Sequence, residues 1–354
     1  MTRPRRGPRP LYSSPWAWLL PALAAAHVWA ARHLPSSWVD RVYHGEIYPW
    51  ILRTLGEACN HISWSLSGGI FLFGAIFFLF RFLGLLSTAF RRGFARRCLA
   101  ASFRLLLVLS LLVHPFFLFW GYQYRATPLE RRLGLEGIPA RAAAARLFRR
   151  ARILAARLRE PGLDTRSGPL PSLSGEVRRA LRELGLGVLP LPMRVKNPPI
   201  PGMLLLSGTL GITSPFTLEA HVEPSLHWAD RPFLGAHELA HLGGVTGEGE
   251  ANFVAWYALV TADHPLYRYC GWLGLLLHAP RPLPENLLSP RVAGDLRGIL
   301  ERRARGRIGW LAHFSWSVYD SYLKGQGLRK GIGDYGRLAG LAARYSVLHP
   351  EILR

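Results

Sequence analysis

AHELAHLGGVTGEGEANFVAW, residues Ala236–Trp256, is the stretch that decides how this chain reads. His237 and His241 are one helical turn apart, so on a helix both imidazoles share a face and can hold one metal ion. Glu238 follows the first imidazole. From there its carboxylate reaches a water on the ion without ligating it, takes the proton as the water attacks a carbonyl, and passes it to a leaving amine. A third ligand is required, and Glu248 and Glu250 are the next acids. Gly243, Gly244 and Gly247 lie between, and glycine permits the φ > 0 turn that would end one helix and fold the chain back. EGEANFVAWYAL (Glu248–Leu259) then resumes helical spacing, so the pattern is a two-helix, three-ligand Zn2+ site. Glu248 is the first choice for the third ligand, because Asn252, Ala255 and Trp256 share its face and small neighbours let the helices approach. Glu250 remains the alternative, or orients a ligand histidine. The bland reading is a solvated helix with incidental histidines, followed by acids placed by the dipole of the next helix.

The surrounding half, residues 125–354, holds no confident span. Ala140–Glu160 alternates Ala and Leu with Arg at helical spacing and predicts an amphipathic helix, packed on the domain in preference to lying on headgroups. Ser174–Leu184 predicts a second helix, and Pro and Gly punctuate 185–202 as loop. Met203–Leu206 and Ala220–Val222 read as strands. WLGLLL, Trp272–Leu277, is apolar but short, which favours a core helix over a further span. Tyr322 is the first candidate to stabilise a tetrahedral oxyanion, with Tyr319 and His313 nearby; the bland reading for each tyrosine is a buried, satisfied hydroxyl. Asp263 reads as a supporting group or a turn acid. Glu219 and His221 could line the cleft or lie on an edge strand that pairs with a substrate backbone.

Before residue 125 the chain changes character. Apolar segments run at about 15–31, 62–86 and 99–120, and predict three transmembrane helices within a membrane domain of residues 1–124. A signal peptide competes for the first, since Arg3, Arg5, Arg6 and Arg9 precede it. Arg91, Arg92, Arg96 and Arg97 lie without an acid between the second and third segments, whereas the first connection is balanced. The positive-inside rule then puts the tail and the second loop in the cytoplasm and the C-terminal half outside it. Trp120, Tyr122 and Tyr124 fit an aromatic belt at the exit, and His27 and His114 read as interhelix packing groups.

Bulk composition agrees with this division. The 354 residues carry a formal net charge of +22, almost entirely from arginine, with Lys196, Lys324 and Lys330 the only lysines. So basic a chain raises nucleic acid as a partner, but no aromatic-interleaved basic stripe or nucleic-acid motif accompanies the arginines, so none is expected. Cys59, Cys98 and Cys270 form no CxxC, which excludes a disulfide framework and a thiolate zinc site.

Four blocks carry a resemblance: FLFWGYQYRATPLERRLGL (Phe117–Leu135), GITSPFTLEAHVEP (Gly211–Pro224), EGEANFVAWYAL (Glu248–Leu259) and SVYDSYLKGQGLRKGIGDYGR (Ser317–Arg337). With HELAH they resemble the domain-of-unknown-function 3810 family, uncharacterised bacterial membrane proteins with a predicted gluzincin-like zinc-peptidase site. The resemblance implies a few N-terminal spans and an outward-facing peptidase domain, and names no substrate. ExxAN at Glu248–Asn252 also resembles the third-ligand helix of the CAAX prenyl proteases and of phage-repressor-cleaving zinc peptidases, which favours Glu248; Gly249 departs from that pattern. The expectation is a mainly α protein with N-terminal transmembrane helices followed by an α-rich (α+β) zincin-like metallopeptidase domain. Its partners are a lipid bilayer and a peptide or protein substrate. The competing functions are a catalytically inactive metal- or envelope-binding scaffold and a zinc amidase acting on cell-wall peptide.

Overall fold

The structure is a computed structural model describing residues 14–87, 94–160, 163, 170–187, 189–279, 283–326, 333 and 336–353. The basic tail (Arg3, Arg5, Arg6, Arg9), Arg91, Arg92 and Lys330 lie outside the described residues. The chain is mainly helical.

Helix α1 (Leu19–His33) follows a 3-10 turn at Pro15–Trp18. Helices α2 (Leu66–Leu86) and α3 (Phe94–Phe119) are long and apolar enough to cross a membrane, and among the described residues only these two meet that test. At 1.5 Å per residue α2 extends about 31 Å, matching a hydrocarbon core of about 30 Å. Apart from Ser67 and Arg81 its side chains are apolar or absent, yet none of its residues is buried against protein. Ser65 caps its start by accepting the Gly68 amide at 3.0 Å. With 15 residues α1 is too short for the same test; it runs beside α3, where Trp18 meets Phe103 and His27 stacks on Phe117. His27 Nδ1 also lies 2.6 Å from the Tyr122 hydroxyl, and its ring is 5.1 Å from that of His114.

Between α1 and α2, residues 36–61 form a run of α and π turns that belongs to the core of the other half. Val39, Tyr43, Tyr48 and Leu52 are buried in the same cluster as Phe253, Trp256 and Leu273. The core therefore draws on both sides of Tyr124. Tyr43 donates to the Leu118 carbonyl at 2.8 Å and Tyr48 to the Leu242 carbonyl at 2.9 Å. Each satisfies a carbonyl at a helix C-terminus that has no intrahelical partner.

The other half contains α4 (Arg141–Leu158), α5 (Leu170–Glu183), α6 (Arg231–Leu242), α7 (Glu248–Val260), α8 (Pro265–Leu277), α9 (Pro290–Ala304), α10 (Gly309–Gly325) and α11 (Arg337–Leu348). Helices α6, α7 and α8 pack on one another at the centre, with α4, α5 and α11 outside them. Helix α4 buries Ala143, Leu147, Ala151, Leu154 and Ala155, the apolar stripe its spacing predicts, against α8 and α11. Trp272–Leu277 lies within α8, where Leu273, Leu275 and Leu276 are buried in the core.

A three-stranded sheet covers α6. Its order is β1 (Val195–Lys196), β3 (Glu219–Val222), β2 (Gly211–Ser214), with β1 parallel and β2 antiparallel to β3. Ala220–Val222 is a strand as expected, but Met203–Leu206 is a helical turn. Gly202, at φ +87°, starts that turn, and a short apolar run does not by its periodicity distinguish strand from helix. Glu219 and His221 sit on the central strand, so the edges are β1 and β2.

Candidate metal centre

Every residue of α6 from Phe233 to Leu242 except Leu234 is buried, including His237, Glu238 and His241. Both ends of the helix are anchored. Asp230, preceding it, is held by a two-pronged ion pair from Arg303 of α9 at 2.7 and 2.8 Å. At the other end Gly244 donates to the His241 carbonyl (2.9 Å) and Val245 to the Ala240 carbonyl (3.1 Å). These are the two bonds of a Schellman turn, which needs a residue with φ > 0 after the cap; Gly244 has φ +95°. A side chain there would also press on Gln123 and His44. The turn carries the Val245 carbonyl back over the helix, where it lies 2.6 Å from His241 Nδ1. A carbonyl accepts only from N–H, so Nδ1 carries a proton and Nε2 is the nitrogen that faces the site.

Helix α7 starts at Glu248, with Gly249 in its first turn, and lies against α6. The crossing brings three atoms together: His237 Nε2 and His241 Nε2 are 3.1 Å apart, and Glu248 Oε2 is 3.2 Å from the first and 3.5 Å from the second. Among the described residues this is the one group of three His, Cys, Asp or Glu side chains able to share an ion. Three tetrahedral donors at about 2.0–2.1 Å from a zinc ion stand about 3.3–3.4 Å from one another, so the triangle has the right size. Glu248 Oε2 is buried and accepts no well-aligned hydrogen bond, although both imidazoles stand beside it. Two imidazoles and a carboxylate are a donor set that can hold a divalent metal ion.

Glu248 Oε1 is held separately, by the Tyr319 hydroxyl of α10. Glu250 points elsewhere: its Oε1 accepts the Leu129 amide at 3.0 Å and lies 3.9 Å from Arg337. Tyr322 is hydrogen-bonded to Tyr124 at 2.9 Å, and the Trp120 indole donates to Tyr124 at 3.3 Å. Burial, with Tyr124 and Glu248 adding to it, pushes the Tyr322 phenol well up and keeps it neutral. Asp263 and His313 are exposed and take no part.

Charge in the cluster follows from burial and crowding. Burial pushes His241 down, but the Glu248 carboxylate beside it wins and the imidazole is pushed up to about 9. Burial raises Glu248 as well; the two imidazoles outweigh it and hold the carboxyl well below its usual range. The protein alone therefore keeps a proton where a cation would sit. Glu238 moves the other way. Its burial dominates the pull of both imidazoles and of Thr213, and its carboxyl is raised.

Thr213 is the residue the sequence did not single out. From β2 its hydroxyl donates to Glu238 Oε2 at 2.7 Å and to the Glu238 carbonyl at 3.1 Å. Gly211, two residues earlier, passes so close that a Cβ would stand 2.5 Å from Glu238 Oε1. Only the fold brings these residues to Glu238; the one signal in the chain is that both lie in the GITS block. The site opens into a cavity of about 690 Å³ between β2 and α10, lined by Phe116, Leu210, Ile212, Phe216, Leu234 and Trp316 among others. Asn252, one turn past Glu248, also lines it, and its Nδ2 has no hydrogen-bond partner among the described residues.

The family described as protein of unknown function (DUF3810) matches residues 43–343, and the chain belongs to it. The matched region holds both apolar helices and the whole site. No curated protein and no solved structure matches the chain.

Proposed function

We propose that this protein is a membrane-anchored, zinc-dependent peptidase. The observation that carries the reading is the triangle of His237 Nε2, His241 Nε2 and Glu248 Oε2 with edges of 3.1–3.5 Å, beside a buried Glu238 that belongs to no ion pair. His237, His241 and Glu248 would hold the metal; when bound, zinc lowers the pKa of water and polarises a carbonyl oxygen.

Glu238 supplies the base. Thr213 fixes one of its oxygens, and a raised carboxyl pKa suits a group that takes a proton from water and returns it to a leaving amine. Tyr322, neutral and at the cavity wall, is placed to donate to a developing oxyanion. The free edge of β2 crosses the cavity beside Glu238 and offers backbone donors and acceptors to an extended peptide. Helices α2 and α3 cross the membrane, and the arginine bias around them puts residues 125–354 on the outer face of the cell membrane.

The test is hydrolysis of a mixed peptide library by detergent-purified protein, beside Glu238→Gln. Glu238→Gln is expected to keep one equivalent of zinc and lose activity by about 10²–10⁴-fold, the range for a general acid–base group. Equal activity in both proteins refutes the mechanism.

A further inference from the structure

Helix α10 roofs the cavity with Tyr319 and Tyr322, and the flank next to them is bare. Trp310, Phe314 and Val318, one turn apart, are 73, 63 and 53% exposed. No Asp, Glu, Lys or Arg occurs from Ile308 to Tyr319; Arg305 and Arg307 precede that stretch, and Asp320, ion-paired to Lys324, follows it. Across the cavity mouth Ile212 and Phe216, at β2 and just after it, are exposed too, as is Ile200.

Both sides of this rim are tied to the ends of the two apolar helices. Tyr322 packs on Phe116, in the last turn of α3, with ring centres 6.1 Å apart. Ile200 follows Pro199, which fills the space over Gly68 in the first turn of α2. Ile212 is the register partner of His221, whose Nε2 lies 2.9 Å from Ser65 Oγ at the cap of α2. The rim thus lies at the level where α2 leaves the domain and α3 returns to it. If α2 and α3 cross a bilayer, its surface meets this face. An uncharged helix face bearing Trp and Phe, with arginines at its N-terminal approach, is the pattern of a helix lying at the boundary of headgroups and acyl chains.

We infer that the outer face of α10, with Ile200, Ile212 and Phe216 opposite, rests in the lipid boundary, so that the cavity opens at the bilayer surface and receives chain segments that lie in or emerge from the membrane. The lipid contact rests on the spans, and what the cavity receives rests on the peptidase reading.

Nitroxide labels test it in the full chain, reconstituted in phosphatidylethanolamine–phosphatidylglycerol bilayers. Cys59 and Cys270 are buried, so Cys98→Ser gives the background for Phe314→Cys and Val318→Cys, with Phe78→Cys in the middle of α2 and Arg157→Cys on the exposed side of α4 as references. The expected result is an oxygen-to-nickel-chelate collision ratio at 314 and 318 several-fold above that at 157, in the direction of 78. Ratios at 314 and 318 equal to that at 157 mean water. Shielding from both reagents means a covering protein, such as a second copy. With 78 in lipid, either result overturns the inference alone; a label at 78 that reports water removes the spans and the inference together.

Discussion

Glu248 and Glu219 are both buried glutamates beside histidine, about 1 and 2% exposed, and they are solved in opposite ways. Glu219 brings its own cation. Lys196 Nζ stands 2.5 Å from Oε1 and also donates to the Cys59 carbonyl at 2.7 Å. The amides of Leu66 and Ser67 at the start of α2, and the Thr217 hydroxyl, complete the carboxylate's donors. Burial raises this carboxyl, but those donors outweigh it and hold it below its usual range. Glu248 has the Tyr319 hydroxyl on one oxygen and two imidazole nitrogens around the other, with no ammonium or guanidinium paired to it. A buried carboxylate with its own cation is architecture; here it fastens α2 to the sheet. One whose neighbours are imidazoles, able to give up a proton and ligate, is a place for a metal ion.

The comparison breaks most sharply at His241. His241→Ala removes one of three donors and is expected to abolish stoichiometric zinc, from one equivalent in the wild type to none after dialysis, read by elemental mass spectrometry. Retention of the full equivalent would place the ion elsewhere. Next comes Lys196→Met, which leaves Glu219 buried without its cation and should cost about 3–5 kcal/mol of stability at neutral pH. Protein that still folds should keep its zinc. The sign with pH is definite. In the wild type Glu219 is depressed, so its contribution is present above the ordinary carboxylate pKa and fades as pH falls through the lower folded value. In the variant Glu219 has lost the foremost group that lowers it, so it protonates at higher pH than in the wild type, and the stability gap between the two proteins narrows on going from pH 7 towards pH 4. A gap that widens in acid means that Lys196 does not hold Glu219 ionised. Tyr319→Phe is milder. It deletes the donor that orients Glu248 and should weaken zinc about 10–100-fold, the range for groups that orient metal ligands, as measured by competition with a chelator. An unchanged affinity shows that the hydroxyl does not position the ligand.

The two clusters also differ in how far the sequence announces them. HELAH is legible because both histidines and the base fall within one helical turn, and the glycine after Leu242 marks the turn that returns the chain. The apolar runs of α2 and α3 and the amphipathic α4 are legible for the same reason: each pattern is local and repeats at the period of its element. Glu219 and His221 were expected at the cleft or on an edge strand, yet Lys196 and Ser65, which explain them, are 23 and 156 residues from their partners. Thr213 is likewise 25 residues from Glu238. Nor does spacing reveal that Tyr43 and Tyr48, lying before the apolar helices, pack into the core behind the site. Residues joined only by the tertiary fold leave no period in the chain.

Glu250 sharpens the comparison at its weakest point, because it is the acid that sequence could not separate from Glu248. Two residues apart at a helix start, they point about 200° from each other around the axis, so only one can face α6. Glu248 does. Glu250 instead accepts the Leu129 amide at the start of a short helix, near Arg337. Glu250→Gln keeps an oxygen for that amide and removes only the charge, so zinc should remain at one equivalent with unchanged affinity. Stability should fall by about 0.5–1.5 kcal/mol, the size of one hydrogen bond, read as a small drop in the unfolding midpoint in detergent. Loss of zinc in this variant, with Glu248→Gln retaining it, would exchange the roles of the two glutamates and require α7 to turn by half a revolution about its axis.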